Sequence, residues 1–368
     1  MQEKMNVPFL DLQASYVELK AGIDEAVSRV LSSGSYILGS EVLSFEEEWA
    51  DYCQAGYAVG VGNGLDALVL SLRALGIGPG DEVIVPSHTF VATWLAVIAV
   101  GAKLVPIEPN ALTFNIDASQ VASAITPATR VIIPVHLYGQ PADLDPLLQL
   151  ARRHGIYIIE DAAQAHGAFY KGRRIGSHGD LVCWSFYPGK NLGAFGDGGA
   201  ITTNNSELAE RVKILRNYGS REKYLNLLPG VNSRLDPLQA AILRVKLPLL
   251  DEWNERRKAI ASEYLSALSG CGLILPSVPS WADPVWHLFV VRSPLRASIQ
   301  RHLSSCGVGT LIHYPVPPHR QKAFSGLGLS MVLPAADQLA AEVFSLPIGP
   351  HLARHQVEMV VKCLENIN

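Results

Sequence analysis

Cysteine is scarce and scattered in this sequence. The 368 residues hold five (Cys53, Cys183, Cys271, Cys306 and Cys363), far apart, with neither a CxxC pair nor metal-ligand spacing. This excludes a disulfide framework and a cysteine-based metal site, and it leaves buried free thiols as the expectation. Charge is sparse as well: charged residues make up 17% of the chain, and 30 Lys and Arg against 34 Asp and Glu leave a formal net charge of −4. Neutralising a phosphate backbone needs a clustered basic excess, so no nucleic-acid partner is expected. Long apolar runs are missing too. The longest window without a formal charge, Val83 to Ala102, is interrupted by Pro86, Ser87, His88 and Thr89, and reads as a strand, a loop and a buried helix rather than a membrane span. The opening Met-Gln-Glu-Lys-Met lacks the basic and apolar regions of a secretory leader. A cytoplasmic protein with no membrane partner and no metal is the expectation.

What the chain has in quantity is apolar surface. Hydrophobic residues make up 48%, enough for a large core in one big domain or two. The first sixty residues carry apolar positions at helical spacing, from Leu12 through Val27 and Val30 and again from Val42 to Tyr52, which predicts two helices around a Gly34/Gly39 turn. A different rhythm follows. Glu82–Val85, Lys103–Ile107, Arg130–Val135 and Ile156–Ile159 are short β-branched runs separated by helical segments. Runs that are apolar on both faces suit a mostly parallel sheet with helices above and below. After Asp236-Pro237, a favourable N-cap and first helical residue, the pattern predicts one long helix carrying charges through Asp251 to Lys258. We read residues 1–250 as an N-terminal segment plus a large domain, and residues 251–368 as a bridging helix and a smaller α+β domain.

Three segments could carry chemistry. In Ser185-Phe186-Tyr187-Pro188-Gly189-Lys190-Asn191-Leu192-Gly193, continuing to Gly196-Asp197-Gly198-Gly199, a lysine lies between a strand-like run and a glycine-rich stretch. A lysine in such a place is ordinarily solvated, but one withdrawn from water loses its proton readily and can form a Schiff base. The run Ile156–Ile159 ends in Glu160-Asp161-Ala162-Ala163-Gln164. Ligands of doubly wound sheets bind beyond the carboxyl ends of strands, so Asp161 is placed for chemistry; a helix N-cap and a Mg²⁺ ligand are the alternatives. Third, Val61-Gly62-Asn63-Gly64-Leu65-Asp66-Ala67-Leu68 is a glycine turn feeding a helix, whose free amides can hold a phosphate. It is neither a Walker A loop nor GxGxxG, which argues against a nicotinamide dehydrogenase. A lysine for an imine, a carboxylate for a pyridine nitrogen and a helix start for a phosphate are together what pyridoxal 5'-phosphate (PLP) requires.

The order and wording of these motifs, with Pro86-Ser87-His88-Thr89-Phe90, resemble the DegT/DnrJ/EryC1/StrS family of sugar aminotransferases over nearly the whole chain. The resemblance implies the aspartate-aminotransferase-like fold (fold type I): an α/β protein with a mostly parallel seven-stranded sheet flanked by helices and a smaller C-terminal α+β domain. It makes Lys190 the Schiff-base lysine and Asp161 the partner of the pyridinium nitrogen. Gln164 would approach the ring hydroxyl, Phe90 would stack on the ring, and Ser185 with the backbone of Gly64 and Leu65 would bind the phosphate. Asn232 matches an asparagine that the neighbouring chain supplies, which implies a homodimer with shared active sites.

Two departures stand out. Asn63-Gly64-Leu65 replaces the commoner Ser-Gly-Thr phosphate turn and so relies on backbone amides, and Gly189 stands where threonine commonly precedes the lysine. The resemblance further implies glutamate as amine donor and a nucleotide-linked keto sugar as acceptor, at C3 of a dTDP-3-keto-6-deoxyhexose. Tyr187, Tyr218, His313, Tyr314 and His319 are candidate substrate contacts, with Arg221, Lys223 or Arg234 for a pyrophosphate. The alternatives are that these aromatics pack at a dimer interface and that His313 is a core histidine. Amination at C4 of a UDP-4-keto sugar would use the same cofactor residues. Dehydrating relatives replace the lysine with histidine, which Lys190 argues against, and a non-catalytic regulator on the same fold is the reading from another class.

Overall fold

The computed structural model describes residues 6–327 and 332–365; the opening five residues, read above for a leader, lie outside them. The β-branched runs become strands of one seven-stranded sheet: β1 (Tyr57–Val61), β2 (Glu82–Pro86), β3 (Lys103–Ile107), β4 (Thr129–Ile132), β5 (Tyr157–Asp161), β6 (Leu181–Ser185) and β7 (Gly199–Thr203), in the order β1-β7-β6-β5-β4-β2-β3. Strands β2 to β6 pair in parallel, whereas β7 runs antiparallel to both β1 and β6. Parallel neighbours need crossovers, and helices supply them.

Helices α1 (Gln13–Ser33) and α2 (Ser40–Tyr52) precede the sheet, meeting at the predicted turn where Gly34 takes φ 66° and Gly39 φ 94°. The crossovers are α3 (Gly64–Ala74), α4 (Ala92–Ala99), α5 (Ala118–Ala124) and α6 (Leu144–His154), with α7 (Ser206–Leu215) following β7. Alternation along β2 feeds both faces. Val83 and Val85 join Leu68, Leu72, Trp94 and Val212 in one core, while Ile84 joins Ile132, Ile158 and Leu147 in another. A third cluster packs Phe45 and Trp49 of α2 on Val182, Trp184 and Leu243. Burial at about 25 cal/mol per Å² on both faces makes this sheet the rigid part of the molecule.

The predicted single long helix is in fact two. Helix α8 (Pro237–Lys246) ends in a 3₁₀ turn, Leu247–Leu249, and α9 (Leu250–Ala267) starts anew. The cause is Pro248, which lacks an amide hydrogen and clashes with the turn before it. Asp236 holds the N-cap position before Pro237, but its side chain makes no capping hydrogen bond. Beyond α9, strands β8 (Phe289–Arg292) and β9 (Val343–Leu346) pair antiparallel, with α10 (Arg296–Ser305), α11 (Pro334–Glu342) and α12 (Arg354–Glu365) around them. Tyr264, Phe289, Leu303, Phe344 and Val360 form their core, and Val7 from the start of the chain is buried with them. The expected buried thiols are found at Cys53 and Cys183. Cys271, Cys306 and Cys363 are free but only half-buried, because they lie at the margin of this second core rather than inside it. Among the described residues no helix is long and apolar enough to cross a membrane.

One buried ion pair ties α2 to the sheet. Arg216 donates to Glu46, a carboxylate 5% exposed, and to the carbonyl of Gly60, whose amide in turn donates to Glu46. Glu46→Ala leaves a buried guanidinium and an amide without their acceptor, so it should cost about 3–5 kcal/mol of stability. Urea unfolding followed by circular dichroism measures this.

Candidate active site

The ends of four strands and one returning loop build a single site at the carboxyl edge of the sheet. Strand β5 ends at Asp161, β6 ends at Ser185, β1 leads through Gly62 and Asn63 into α3, and β2 leads through Ser87 to Phe90. Because β7 is antiparallel, the loop from β6 to β7 begins and ends at this same edge and brings Lys190 there. Gly193 lets that loop fold tightly, since a Cβ on it would lie 2.4 Å from the Pro188 carbonyl oxygen.

Pleating separates the two neighbouring carboxylates of β5. Glu160 turns to the far face, where it accepts from the Gly179 amide at 2.6 Å and lies 2.9 Å from His136 Nε2. Burial works to raise Glu160, yet these partners hold it below its ordinary value. Asp161 turns into the site, 7% exposed, accepting from Thr93 Oγ1 at 2.9 Å and the Ala163 amide at 3.3 Å. No helix begins after Asp161, where the chain continues in turns, which sets aside the N-cap alternative. Burial pushes the Asp161 carboxyl up, opposed by those two donors and by the charge of Lys190. Burial also brings the Lys190 amine down from 10.5 to about 8, with Asp161 resisting the change. Lys190 thus gives up its proton far more readily than an ordinary lysine. Among the described residues no hydrogen bond engages its Nζ.

At the start of α3, Asn63 Oδ1 accepts from the Asp66 amide at 2.9 Å. The amides of Gly64 and Leu65 have no partner among the described residues and point out of the helix start. Gly64 lies flush against Ser185: a Cβ on Gly64 would stand 2.6 Å from the Ser185 Cβ. Two free amides and a hydroxyl brought together by a glycine fit a phosphate group and nothing bulkier on the protein side. Gly64→Ala should wedge this cradle open. We expect PLP affinity to fall at least about tenfold, ~1.4 kcal/mol, without loss of folding, as read by cofactor titration and thermal melting.

Gln164 is buried between Tyr138 and Tyr314; its Oε1 accepts from the Tyr138 amide at 2.6 Å and its Nε2 donates to the Tyr314 hydroxyl at 3.0 Å. The Phe90 ring, 52% exposed, lies 5.4 Å from that of Tyr314. Phe90, Tyr314, Gln164, Asp161 and Lys190 therefore belong to one neighbourhood. His313 Nδ1 is 2.8 Å from Ser345 Oγ, and burial lowers it to about 4. Tyr187 is exposed at the rim.

The other predicted residues keep different company. Arg221 pairs with Glu210 on the surface, Tyr218 is exposed under the guanidinium of Arg234, and Asn232 is an exposed residue bridged to Asn217. His319 Nε2 donates to the Asp337 carboxylate at 3.0 Å with its side chain almost fully covered. Sequence reasoning missed Thr93, which lies three residues beyond Phe90 and so one helical turn away from it. It also missed Asn191, which stands next to Lys190 in a segment already singled out, and Tyr138 and His287, whose loops carry no motif.

A mostly parallel α/β sheet whose carboxyl edge presents a low-pKa lysine, a buried carboxylate and a glycine-faced serine defines an aminotransferase of fold type I. A family model narrows this: that of the DegT/DnrJ/EryC1/StrS aminotransferase family matches residues 17–365, and the chain belongs to that family. It is 57% identical over 361 residues to dTDP-3-amino-3,4,6-trideoxy-alpha-D-glucose transaminase of Streptomyces venezuelae, covering 98% of this chain and 95% of the relative. It is 52% identical to dTDP-3-amino-3,6-dideoxy-alpha-D-galactopyranose transaminase of Aneurinibacillus thermoaerophilus, covering 97% and 98% respectively. The crystal structure of S. venezuelae DesV in complex with a ketimine intermediate superposes with a TM-score of 0.96 at 56% identity, covering 98% of each chain.

Proposed function

We propose that this enzyme uses PLP to move the amino group of glutamate to C3 of a dTDP-linked 3-keto-6-deoxyhexose, giving a dTDP-3-amino-3,6-dideoxyhexose. The observation that carries the chemistry is the Lys190 amine, brought to about 8 beside the buried Asp161 carboxylate. The choice of carbon and nucleotide is supported by the two relatives above, both of which bear by name an amine at C3 of a dTDP sugar.

Bound PLP supplies a carbonyl for amine exchange and a ring that withdraws electrons from the reacting carbon. The protein's residues do the rest. The Gly64 and Leu65 amides and the Ser185 hydroxyl hold the phosphate, and Phe90 covers one ring face. Asp161 keeps a proton on the ring nitrogen, with Thr93 and Ala163 fixing the carboxylate in line. Lys190 Nζ takes the α-proton of the amino donor and returns it on the cofactor side, so one amine serves as base and then acid. With the keto sugar the same steps run in reverse. Asn232 of a second copy completes the phosphate site, and Tyr187 and His313 line the sugar's approach.

Purified protein incubated with glutamate and each of a dTDP-3-keto, a dTDP-4-keto and a UDP-4-keto sugar tests the reading, with the new amine located by NMR. Amination of the dTDP-3-keto sugar at C3 is expected. Preference for either 4-keto sugar overturns the assignment.

A further inference from the structure

Lys190 sits on a tight turn. Its amide donates to Tyr187 O at 2.9 Å and the Ala194 amide donates to Phe186 O at 2.8 Å, while Lys246 Nζ holds the far end of the loop at the Gly193 carbonyl, 2.7 Å away. Next to the lysine itself the anchor is a side chain, that of Asn191, 4% exposed. Its Nδ2 donates to Asn254 Oδ1 of α9 and to the Val285 carbonyl, each at 2.9 Å, and its Oδ1 lies 3.1 Å from His287 Nδ1. The Val285 carbonyl can only accept, which fixes the end of the amide that carries the hydrogens. Leu192 and Ala194, both fully buried, already supply the loop's apolar packing. What a buried and fully bonded amide adds is direction.

The partners of Asn191 are themselves held. Asn254 Nδ2 donates to the His166 carbonyl at 2.8 Å. His166 belongs to the segment that leaves β5 through Asp161 and Gln164, stiffened by the Ala165 amide on Ala162 O at 2.9 Å and the Ala168 amide on Ala165 O at 3.0 Å. On the other side, the Val285 amide donates to Gly139 O at 3.0 Å and the Leu288 amide to Tyr138 O at 3.2 Å, in the loop whose Tyr138 amide donates to Gln164 Oε1. Both routes from Asn191 therefore lead back to the segment of Asp161 and Gln164. Asn191 is joined to Lys190 by one planar trans peptide, about 3.8 Å from Cα to Cα. A shift in the one is passed to the other, and a misplacement of about 1 Å at a reacting group can cost about a hundredfold.

We propose that Asn191 is a positioning residue for Lys190 and that Asn254 acts through it: the pair fixes the lysine relative to the segment that carries Asp161 and Gln164, so that the amine meets the cofactor's aldehyde carbon already in place. The assignment rests on the reading of Lys190 given above. Its effect falls on the bond between lysine and cofactor and not on the phosphate cradle, which is built from β6 and the start of α3.

Pyridoxamine phosphate carries an amine where PLP has its aldehyde, so it fills the same cradle but cannot bond to a lysine. Its affinity reads the phosphate and ring contacts alone; that of PLP reads these and the carbon–nitrogen double bond formed to Lys190 with loss of water. Both are titrated at one pH into the full chain freed of cofactor. In Asn191→Ala the affinity for PLP is expected to fall at least about tenfold, with that for pyridoxamine phosphate within about twofold of the wild type. A parallel loss of both, which a merely structural role gives, overturns the proposal, and so does no loss of either. Should Asn191→Ala not fold, Asn254→Ala takes its place, since Asn191 then keeps its bond to Val285. A fall of about threefold in PLP affinity alone is expected there, and a parallel or absent loss again overturns the proposal. Failure of borohydride to tag Lys190 in the wild type defeats the functional reading instead.

Discussion

Lys190→Ala is expected to abolish transamination, lowering kcat/KM by at least about 1,000-fold, ~4 kcal/mol in the barrier. Among the described residues no other amine stands at the site to take its place. The histidines around it are held neutral, His166 near 3 and His313 near 4, and the buried Lys246 is committed to the Gly193 carbonyl at 2.7 Å. The fold should not suffer. Lys190 makes no side-chain hydrogen bond among the described residues, and its burial disfavours the charged form, so the variant should melt at the same temperature as the wild type or above it at pH 7. Borohydride reduction in the presence of PLP, followed by peptide mapping, should tag the wild-type peptide containing Lys190 and leave the variant untagged. The same amine sets a pH dependence. Only the neutral form attacks a carbonyl, so PLP uptake by the wild type should quicken as pH rises through about 8 and level off above it.

The second large effect concerns Asp161→Asn. The substitution is nearly isosteric, and an amide oxygen can still accept from Thr93, so the protein should fold and bind PLP through the phosphate cradle. What it loses is the negative charge that keeps the ring nitrogen protonated. Without that proton the ring no longer draws electrons from the reacting carbon, and kcat should fall by about 1,000-fold while the affinity for PLP changes far less. Stopped-flow measurement of the half-reaction with glutamate separates the two quantities. Equal losses in affinity and rate would assign Asp161 to binding alone.

Much of this site was legible in the sequence because its residues sit where the chain changes from one periodicity to another. Asp161 and Ser185 are the last residues of apolar runs, and Gly64 opens a helix after a turn. Strand ends in a parallel sheet converge on one edge, so locating three such ends locates the site. The break at Pro248 was legible in principle, but the charge pattern running on to Lys258 masked it. Contacts between loops were not legible at all. Nothing in Val285-Trp286-His287 announces that it meets Asn191, because that meeting depends on how α9 packs against the sheet and not on local pattern. The same holds for Arg221 and His319, whose residue types suit a polar substrate but whose side chains the fold engages with Glu210 and Asp337.

The single antiparallel strand has a consequence for how the machinery assembles. Ser185 pairs with Gly199, so the lysine between them is set by a ribbon closing on itself, the least costly kind of loop to close. Gly64 and Phe90 reach their places only when segments a hundred residues distant dock beside that ribbon. The nucleophile therefore belongs to the most local pairing in the sheet, and its cofactor-gripping companions belong to the completed sheet.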